Sequence, residues 1–155
     1  MGREQNIRRA TADDAGEVAR LLHDFNTEFD EPSPGIEVLA ERAAEMIGAG
    51  EMTVLLGGEG PDGIAQLRYR RSIWSGEPDA YLEELYVAPE RRGEGLGRAL
   101  LEAAMQAARE AGATHIDLGT SEDDVAARGL YESAGFTNRE GRPDGPVMLY
   151  YEREL

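Results

Sequence analysis

The stretch Tyr81-Leu-Glu-Glu-Leu-Tyr-Val87, followed by Ala-Pro-Glu-Arg-Arg-Gly-Glu-Gly-Leu-Gly97, decides the fold of this chain. Its first part is rich in aromatic and branched side chains and contains no glycine or proline, which predicts a central β-strand. Pro89 ends this strand, because proline cannot donate a hydrogen bond to a sheet ladder. A tight turn follows in which every second residue is glycine, and a helix predicted over Leu96–Ala111 begins inside it.

The start of this helix is a predicted anion site. The first N–H groups of a helix have no partner within the helix and carry partial positive charge. Glycine lets such a backbone approach a ligand closely, and guanidinium groups such as those of Arg91, Arg92 and Arg98 suit phosphate oxygens. The glycine spacing is neither the dinucleotide fingerprint nor the nucleotide P-loop. The residues alone predict a phosphate-binding turn, with a plain glycine-rich turn carrying solvated arginines as the alternative.

Composition narrows the class of protein. The chain has 155 residues, a formal net charge of −15 and no cysteine. This length predicts a single domain over residues 1–155. The lack of cysteine excludes disulfides and a thiolate nucleophile, and His23 and His115 lie too far apart in the sequence to suggest a metal site. We therefore expect no bound metal.

The charge and the apolar runs predict which partners the chain meets. A strongly acidic chain is a poor match for nucleic acid, which demands a basic face, whereas its field attracts cationic substrates. No apolar run approaches the length of a membrane span, and the first residues lack the apolar core of a secretory signal. We expect a cytoplasmic protein that binds neither nucleic acid nor membrane, although acidity that serves only solubility is an equal alternative.

The remaining pattern predicts a mixed, mostly antiparallel sheet of about seven strands with four helices, an α/β arrangement. A capping box at Thr11–Asp14 precedes the first helix. Strands two, three and four form an antiparallel meander, and the helix after the turn returns the chain to a parallel fifth strand. The other predicted elements are strands over 6–10, 52–56, 64–71, 114–118, 136–138 and 146–155, and helices over 36–47 and 123–134.

Two blocks resemble one enzyme family. Arg92-Gly-Glu-Gly-Leu-Gly97, after Leu85-Tyr-Val87, resembles the acetyl-CoA motif Arg/Gln-x-x-Gly-x-Gly/Ala of the GNAT N-acetyltransferases. The stretch from Asp124 to Phe136 resembles the family's second signature, Asn-x-x-Ala-x-x-Leu-Tyr-x-x-x-Gly-Phe, at Ala127, Leu130, Tyr131, Gly135 and Phe136. The resemblance implies the three-layer GNAT fold, acetyl-CoA as cofactor and transfer of its acetyl group directly to a primary amine.

The resemblance also implies a set of cofactor-binding residues. In the family, backbone N–H groups of the turn hold the pyrophosphate, and the end of the preceding strand pairs with the pantetheine arm. Asp124 stands where the family has asparagine, so it can accept a hydrogen bond from pantetheine but cannot donate one. The implied residues are Leu85, Tyr86, Val87, Arg91, Arg92, Gly93, Glu94, Gly95, Leu96, Gly97, Arg98 and Asp124.

Three side chains are candidate catalytic groups. By resemblance, the Tyr131 hydroxyl protonates the leaving CoA thiolate, with packing on the sheet as the alternative. Glu83 and Glu84 are expected to project to opposite faces of the central strand, and one of them would accept the proton of the amine. Glu83 matches a glutamate of polyamine acetyltransferases and is preferred, whereas Glu84 matches an acidic residue of aminoglycoside 3-N-acetyltransferases. The alternative is that one of the two pairs with an arginine of the neighbouring strand, such as Arg68 or Arg70.

The predicted substrate is a small polycation, either an aminoglycoside antibiotic or a polyamine. Its binding residues are expected to be Glu28, Asp30, Glu31, Trp74 and Glu83, since functional residues favour loops on a rigid scaffold. Two other functions remain open: acetylation of protein N-termini or lysines, and a non-catalytic acyl-CoA-binding regulator. The apolar stretch Val147–Tyr151 suggests a strand that pairs across a homodimer, or else a covered internal strand.

Overall fold

The computed structural model describes residues 5–155. The chain divides into two compact units, the first ending at Leu118 and the second spanning Gly119–Leu155. The first unit contains a five-stranded sheet in which the strands lie in chain order. Its strands are β1 (Arg8–Arg9), β2 (Thr53–Gly57), β3 (Gly63–Arg71), β4 (Pro78–Val87) and β5 (Ile116–Asp117). β1 to β4 are antiparallel neighbours, and β5 is parallel to β4, which confirms the predicted meander and crossover.

Helices cover both faces of this sheet. Helices α1 (Ala15–Glu28) and α2 (Ile36–Gly48) share one hydrophobic cluster with alternate residues of the strands, among them Val54, Ile64 and Tyr86. Helix α3 (Leu96–Glu110) packs against β2, β3 and β4 and buries Leu96, Leu100 and Leu101 almost completely. The first unit therefore has the three layers that the sequence predicts.

Two glycines bring α3 close to the sheet. A Cβ atom built on Gly57 would lie 2.8 Å from Leu96 Cδ1, and one built on Gly63 would lie 2.7 Å from Leu100 Cδ1. Both leucines are fully buried, so there is little room for either to move aside. The start of α3, and with it the glycine-rich turn, is therefore held tightly against β2 and β3.

The N-terminal part of the first unit follows the sequence closely, with one shortening. The Thr11 N–H donates to Asp14 Oδ2 over 2.8 Å, which confirms the predicted capping box. The Arg8 side chain, followed by the Thr11 N–H, lowers the pKa of Asp14 to about 2. The first strand covers only Arg8–Arg9 and not the predicted 6–10, because Asn6 has a φ of +47° and breaks the extended backbone.

The second unit contains helix α4 (Val125–Ser133) and little other regular structure. The strands predicted over 136–138 and 146–155 are wrong: among residues 119–155 the only strand-type pairing is an isolated bridge between Arg139 and Val147. This bridge consists of the backbone bonds from Met148 N–H to Asn138 O and from Glu140 N–H to Pro146 O. Pro146 has no N–H with which to continue this pairing toward Glu140. The sheet within residues 5–155 has five strands, where the sequence predicts about seven.

Two kinds of feature are absent from residues 5–155. None of their helices combines the length and apolar character of a bilayer span. Over the same range there is no cluster of three or more histidine, aspartate or glutamate side chains that could hold a metal ion.

Candidate functional site

The second half of β4 has one open edge within the first unit. β3 pairs with β4 along its whole length, but β5 pairs with it only at Ala80 and Tyr81. Beyond Tyr81 the two parallel strands no longer pair, and the edge of β4 from Leu82 to Val87 carries backbone groups that β5 does not reach. An unpaired strand edge is where an extended ligand can add itself to a sheet.

A register shift interrupts the pairing of β3 and β4 at the two adjacent glutamates. Gln66 lies opposite Glu84, but the next residue of β3, Leu67, lies opposite Leu82, so Glu83 is the extra residue of a β-bulge. Gln66 Nε2 donates to Glu83 Oε2 over 3.2 Å, and Arg68 lies 3.6 Å from the same oxygen. A bulge breaks the alternation of side chains. The expectation that the two glutamates occupy opposite faces is therefore wrong: Glu83 reaches the side chains on the face of Gln66, the partner of Glu84.

The two glutamates consequently differ in their electrostatic state. Glu83 pairs with Arg68, the arrangement that the sequence analysis left open as an alternative. Burial, and then the negative charge of Glu83, raises the pKa of Glu84 from 4.5 to about 7. A carboxyl group with a pKa near 7 can take up a proton at neutral pH and release it again, as a general base must. The preference for Glu83 as the general base rests on resemblance alone, whereas the contacts in the structure favour Glu84 for this role.

The glycine-rich turn fits a phosphate group. Gly93 and Gly95 have φ values of +79° and +88°, a region that other residues rarely adopt. A Cβ atom on Gly93 would meet nothing within 4 Å, and one on Gly95 would meet only Gln5 Nε2 at 3.9 Å. These glycines are therefore not required by crowding within residues 5–155; they shape the backbone and leave open space at the start of α3. Open space beside the N-terminus of a helix suits a pyrophosphate.

The arginines of the turn contribute less free charge than their number suggests. Arg91 is buried, and its guanidinium lies 2.6 Å from Asp62 and 3.1 Å from Glu94. Arg92 lies 2.8 Å from Glu28, and its Nε donates to the Val87 carbonyl over 3.0 Å. Arg98 is exposed on the first turn of α3. Because carboxylates of the chain pair with Arg91 and Arg92, the attraction for an anion rests more on the backbone N–H groups than the sequence analysis expected.

Glu28 connects the end of α1 to this turn. Its Oε1 atom accepts hydrogen bonds from the Tyr86 hydroxyl at 2.9 Å and from Arg92 at 2.8 Å. The Tyr86 ring stacks on Phe25 with centroids 4.8 Å apart, and the Arg92 guanidinium lies 5.7 Å from the Tyr86 centroid. The hydrogen bond from Arg92 is the main cause of the lowered pKa of Glu28, while burial and Glu28 raise the pKa of Tyr86 to about 12. Glu28, which is predicted to bind substrate, therefore bonds to Tyr86 and Arg92, which are predicted to bind the cofactor.

The other predicted substrate residues lie apart. Asp30 and Glu31 are exposed just after α1, where the Glu31 N–H donates to the Asn26 carbonyl over 2.8 Å. Trp74 is 95% exposed in the loop that joins β3 to β4. That loop follows the pair Arg71–Pro78, whereas Val87 pairs with Gly63 at the other end of the two strands. The structure therefore does not bring Trp74 to the glycine-rich turn of its own chain.

Three further predicted cofactor residues have side chains that are already engaged within the first unit. The side chain of Leu96 is buried under the sheet and that of Tyr86 faces α1, so only their main-chain atoms can serve a ligand at the turn. Glu94 uses its carboxylate for Arg91 and its carbonyl for Gln5. Asp62 and Gln66 contact predicted site residues that are distant in the sequence, and no sequence motif includes them. Neither could therefore be predicted from the sequence.

Two predicted site residues belong to the second unit. Asp124 is the N-cap of α4, where its Oδ1 atom accepts a hydrogen bond from the Ala127 N–H over 3.1 Å. This capping bond engages one of the two carboxylate oxygens, and capping is a common reason for aspartate at such a position. Tyr131 lies on α4, with its ring edge-on to Phe136 at a centroid distance of 5.9 Å. Their expected roles toward the cofactor stay predictions.

A cavity of about 620 Å³ lies at the opposite end of the sheet from the turn. Its lining includes Arg9, Met52, Tyr69 and Pro78 and none of the predicted site residues. The open edge of β4 and the turn before α3 therefore form the candidate site, and this cavity is separate from it.

Comparison with known proteins identifies the family. The model of the acetyltransferase (GNAT) family matches residues 7–136. The chain is 33% identical over 137 residues to an aminoglycoside N(6')-acetyltransferase type 1 of Stenotrophomonas maltophilia, covering 86% of this chain and 87% of the relative. It is 28% identical over 151 residues to a thialysine N-epsilon-acetyltransferase of Bos taurus, covering 87% of each.

A solved structure agrees over the whole length. A crystal structure from Arthrobacter sp. FB24, assigned as an acetyltransferase, superposes with a TM-score of 0.90 at 45% identity and covers 100% of this chain and 99% of that one. Together with the open edge of β4 and the glycine-rich turn, these matches show that the chain belongs to the GNAT family of acetyltransferases, which use acetyl-CoA as the acetyl donor.

Proposed function

We propose that this enzyme transfers the acetyl group of acetyl-CoA directly to a primary amine of a small polycationic molecule, with an aminoglycoside as the first candidate. The observation that carries the proposal is Glu84, a half-buried carboxyl on β4 with a pKa of about 7. An alkylamine is mostly protonated at neutral pH and must lose a proton before it attacks a thioester. Glu84 would accept that proton, directly or through one water molecule.

Acetyl-CoA would occupy the turn and the open edge of β4. Backbone N–H groups from Gly93 to Arg98 would hold the pyrophosphate, and the edge up to Val87 would pair with the pantetheine arm. The bound cofactor supplies the activated acetyl thioester. An N–H group near Val87 would stabilise the oxyanion, and Tyr131 would return a proton to the leaving thiolate, as the family resemblance implies. The sequence has no cysteine to carry a covalent acetyl intermediate, which supports direct transfer.

Two observations support a cationic substrate. The formal net charge of −15 attracts cations, and the acids that follow α1, Asp30 and Glu31, are exposed. The name of the Stenotrophomonas relative favours an aminoglycoside amine. The name of the bovine relative favours a second candidate, the side-chain amine of a small amino acid such as thialysine.

The test is a thiol-release assay with acetyl-CoA. The panel holds aminoglycosides, the polyamine spermidine, thialysine, lysine and a peptide pool, and Glu84→Gln serves as the matched inactive variant. We expect turnover with one class of small cations and loss of at least about a hundredfold in kcat/KM in Glu84→Gln, the usual scale for a general base. Turnover with peptides alone would overturn the substrate class, and equal turnover by both forms would overturn the role of Glu84.

A further inference from the structure

We infer that Glu28 is a positioning residue that couples acetyl-CoA binding at the turn to the order of the acidic segment 28–31. The inference rests on the proposed function, because it takes the turn as the cofactor site. It assigns Glu28 a role different from the substrate contact that the sequence suggested. In this assignment the Glu28 side chain contacts neither the acetyl carbon nor the attacking nitrogen. It acts through Arg92 and Tyr86.

Two hydrogen bonds share one carboxylate oxygen of Glu28. Glu28 Oε1 accepts from the Tyr86 hydroxyl at 2.9 Å and from Arg92 at 2.8 Å. Tyr86 lies on rigid β4, with only 5% of its surface exposed, whereas Arg92 belongs to the turn. The last residue of α1 is therefore tied at once to the strand and to the turn, by charge-assisted bonds that are stronger than neutral ones.

Hydrogen bonds attach the segment after Glu28 to the end of α1. The Asp30 N–H donates to the Thr27 carbonyl, the Glu31 N–H to the Asn26 carbonyl, and Asn26 Nδ2 to the Pro32 carbonyl at 2.8 Å. These bonds fix Asp30 and Glu31 relative to the last turn of α1. When the end of α1 is held, both acids are held with it; when it frays, both become mobile.

Arg92 connects Glu28 to the glycine-rich turn. Its guanidinium bonds to Glu28 and to the Val87 carbonyl, and its backbone belongs to the turn proposed to hold the pyrophosphate. A ligand that orders the turn also orders the Arg92 side chain and so the partner that holds Glu28. Coupling between two sites through a shared element is reciprocal, so an amine bound at segment 28–31 would in turn tighten acetyl-CoA.

Hydrogen exchange of the backbone amides, with and without saturating coenzyme A, tests this coupling without any amine. In the unmodified protein we expect coenzyme A to slow exchange at residues 92–98 and also at residues 24–31, by at least about fivefold, the low end of usual coupling. In Glu28→Gln we expect slowing at 92–98 only. The matched control is Glu17→Gln, which makes the same substitution on α1 at a residue outside both segments, where Glu17 pairs with Arg20 over 2.7 Å. This control should respond to coenzyme A like the unmodified protein.

The outcomes separate the two proposals. If coenzyme A slows exchange at 92–98 but not at 24–31 in the unmodified protein, or at both in Glu28→Gln, the coupling is refuted and the cofactor site stands. If coenzyme A leaves 92–98 unchanged in every form, the cofactor site itself is refuted. Equal exchange of α3 in all forms without coenzyme A would show that the Glu28 variants are folded. Glu28→Asp, which shortens the side chain that carries the carboxylate, is expected to behave like Glu28→Gln.

Discussion

Glu84→Gln should make the protein more stable at alkaline pH while it removes activity. The folded protein holds the pKa of this carboxyl at about 7, above the ordinary value of 4.5, through burial and the negative charge of Glu83. In the unfolded chain the same group titrates near its ordinary value. Between those two values the folded state binds more protons than the unfolded state, so stability falls as the pH rises through this window.

The magnitude follows from the shift. A rise of the pKa from 4.5 to about 7 corresponds to about 3 kcal/mol if the group is fully shielded from water, at about 1.4 kcal/mol for each unit. Glu84 is half-buried, so solvent screening reduces this figure, and we expect about 2 kcal/mol. Glutamine keeps the shape and removes the charge. At pH 8.5 the variant should therefore be about 2 kcal/mol more stable, and at pH 4 the two forms should be equal.

Urea denaturation and thermal denaturation, both followed by circular dichroism at pH values from 4 to 8.5, measure this difference. For a chain of this size the expected gain at alkaline pH is a rise of about 4 to 8 °C in melting temperature. A constant difference between the two proteins at every pH would refute the assignment, since a packing change does not titrate. A variant that is less stable at pH 8.5 would show that the Glu84 carboxylate has a stabilising partner, contrary to the cause given for its pKa.

Three further predictions address the neighbouring features. Glu83→Gln removes the like charge beside Glu84, so the midpoint of the rising limb of kcat/KM against pH should move to lower pH; loss of activity at every pH would instead make Glu83 the base. Gly95→Ala places a side chain at a φ of +88°, and calorimetry should show an affinity for coenzyme A weakened by at least about tenfold, with Gly48→Ala as a control on α2 that has ordinary φ and open surroundings. Asp62→Asn leaves the buried guanidinium of Arg91 with one carboxylate fewer and should cost about 3 kcal/mol in urea denaturation, whereas an unchanged midpoint would show that the pair contributes nothing.

The sequence predicted well wherever one local pattern decides a structure. The strand ending at Val87, the turn with Gly93 and Gly95, and the start of α3 at Leu96 all lie where the residues place them. Local chemistry is sufficient there, because a positive φ demands glycine and a proline ends a strand. The first strand is shorter than predicted where Asn6 has a positive φ, and the pairing at Arg139 and Val147 stops at Pro146, which has no N–H to continue it.

The pairing of charges could not be predicted in the same way. Counting arginines in the turn suggested three free cations, but Asp62 comes from the β2–β3 turn and Glu28 from α1, far away in sequence. Only the fold decides that these two acids meet Arg91 and Arg92. The choice between Glu83 and Glu84 has the same origin, since it depends on a one-residue register shift that strict alternation along a strand does not reveal.

That register shift explains why two adjacent glutamates have different electrostatic environments. On a regular strand Glu83 would face away from Gln66, and its charge would lie farther from Glu84. The bulge instead turns Glu83 toward Gln66 and Arg68, which stabilise its negative charge. Glu84 is partly buried and lies beside the charge of Glu83, and both effects raise its pKa. Because its pKa is raised, the Glu84 carboxylate destabilises the fold above neutral pH. For the same reason it gains and loses its proton near neutral pH, which suits Glu84 to act as a base. Deleting Glu83 removes the bulge and the neighbouring negative charge but leaves Glu84 opposite Gln66. The rising limb of kcat/KM against pH should therefore move to lower pH while activity is retained, and loss of activity at every pH would show that Glu83 itself is required.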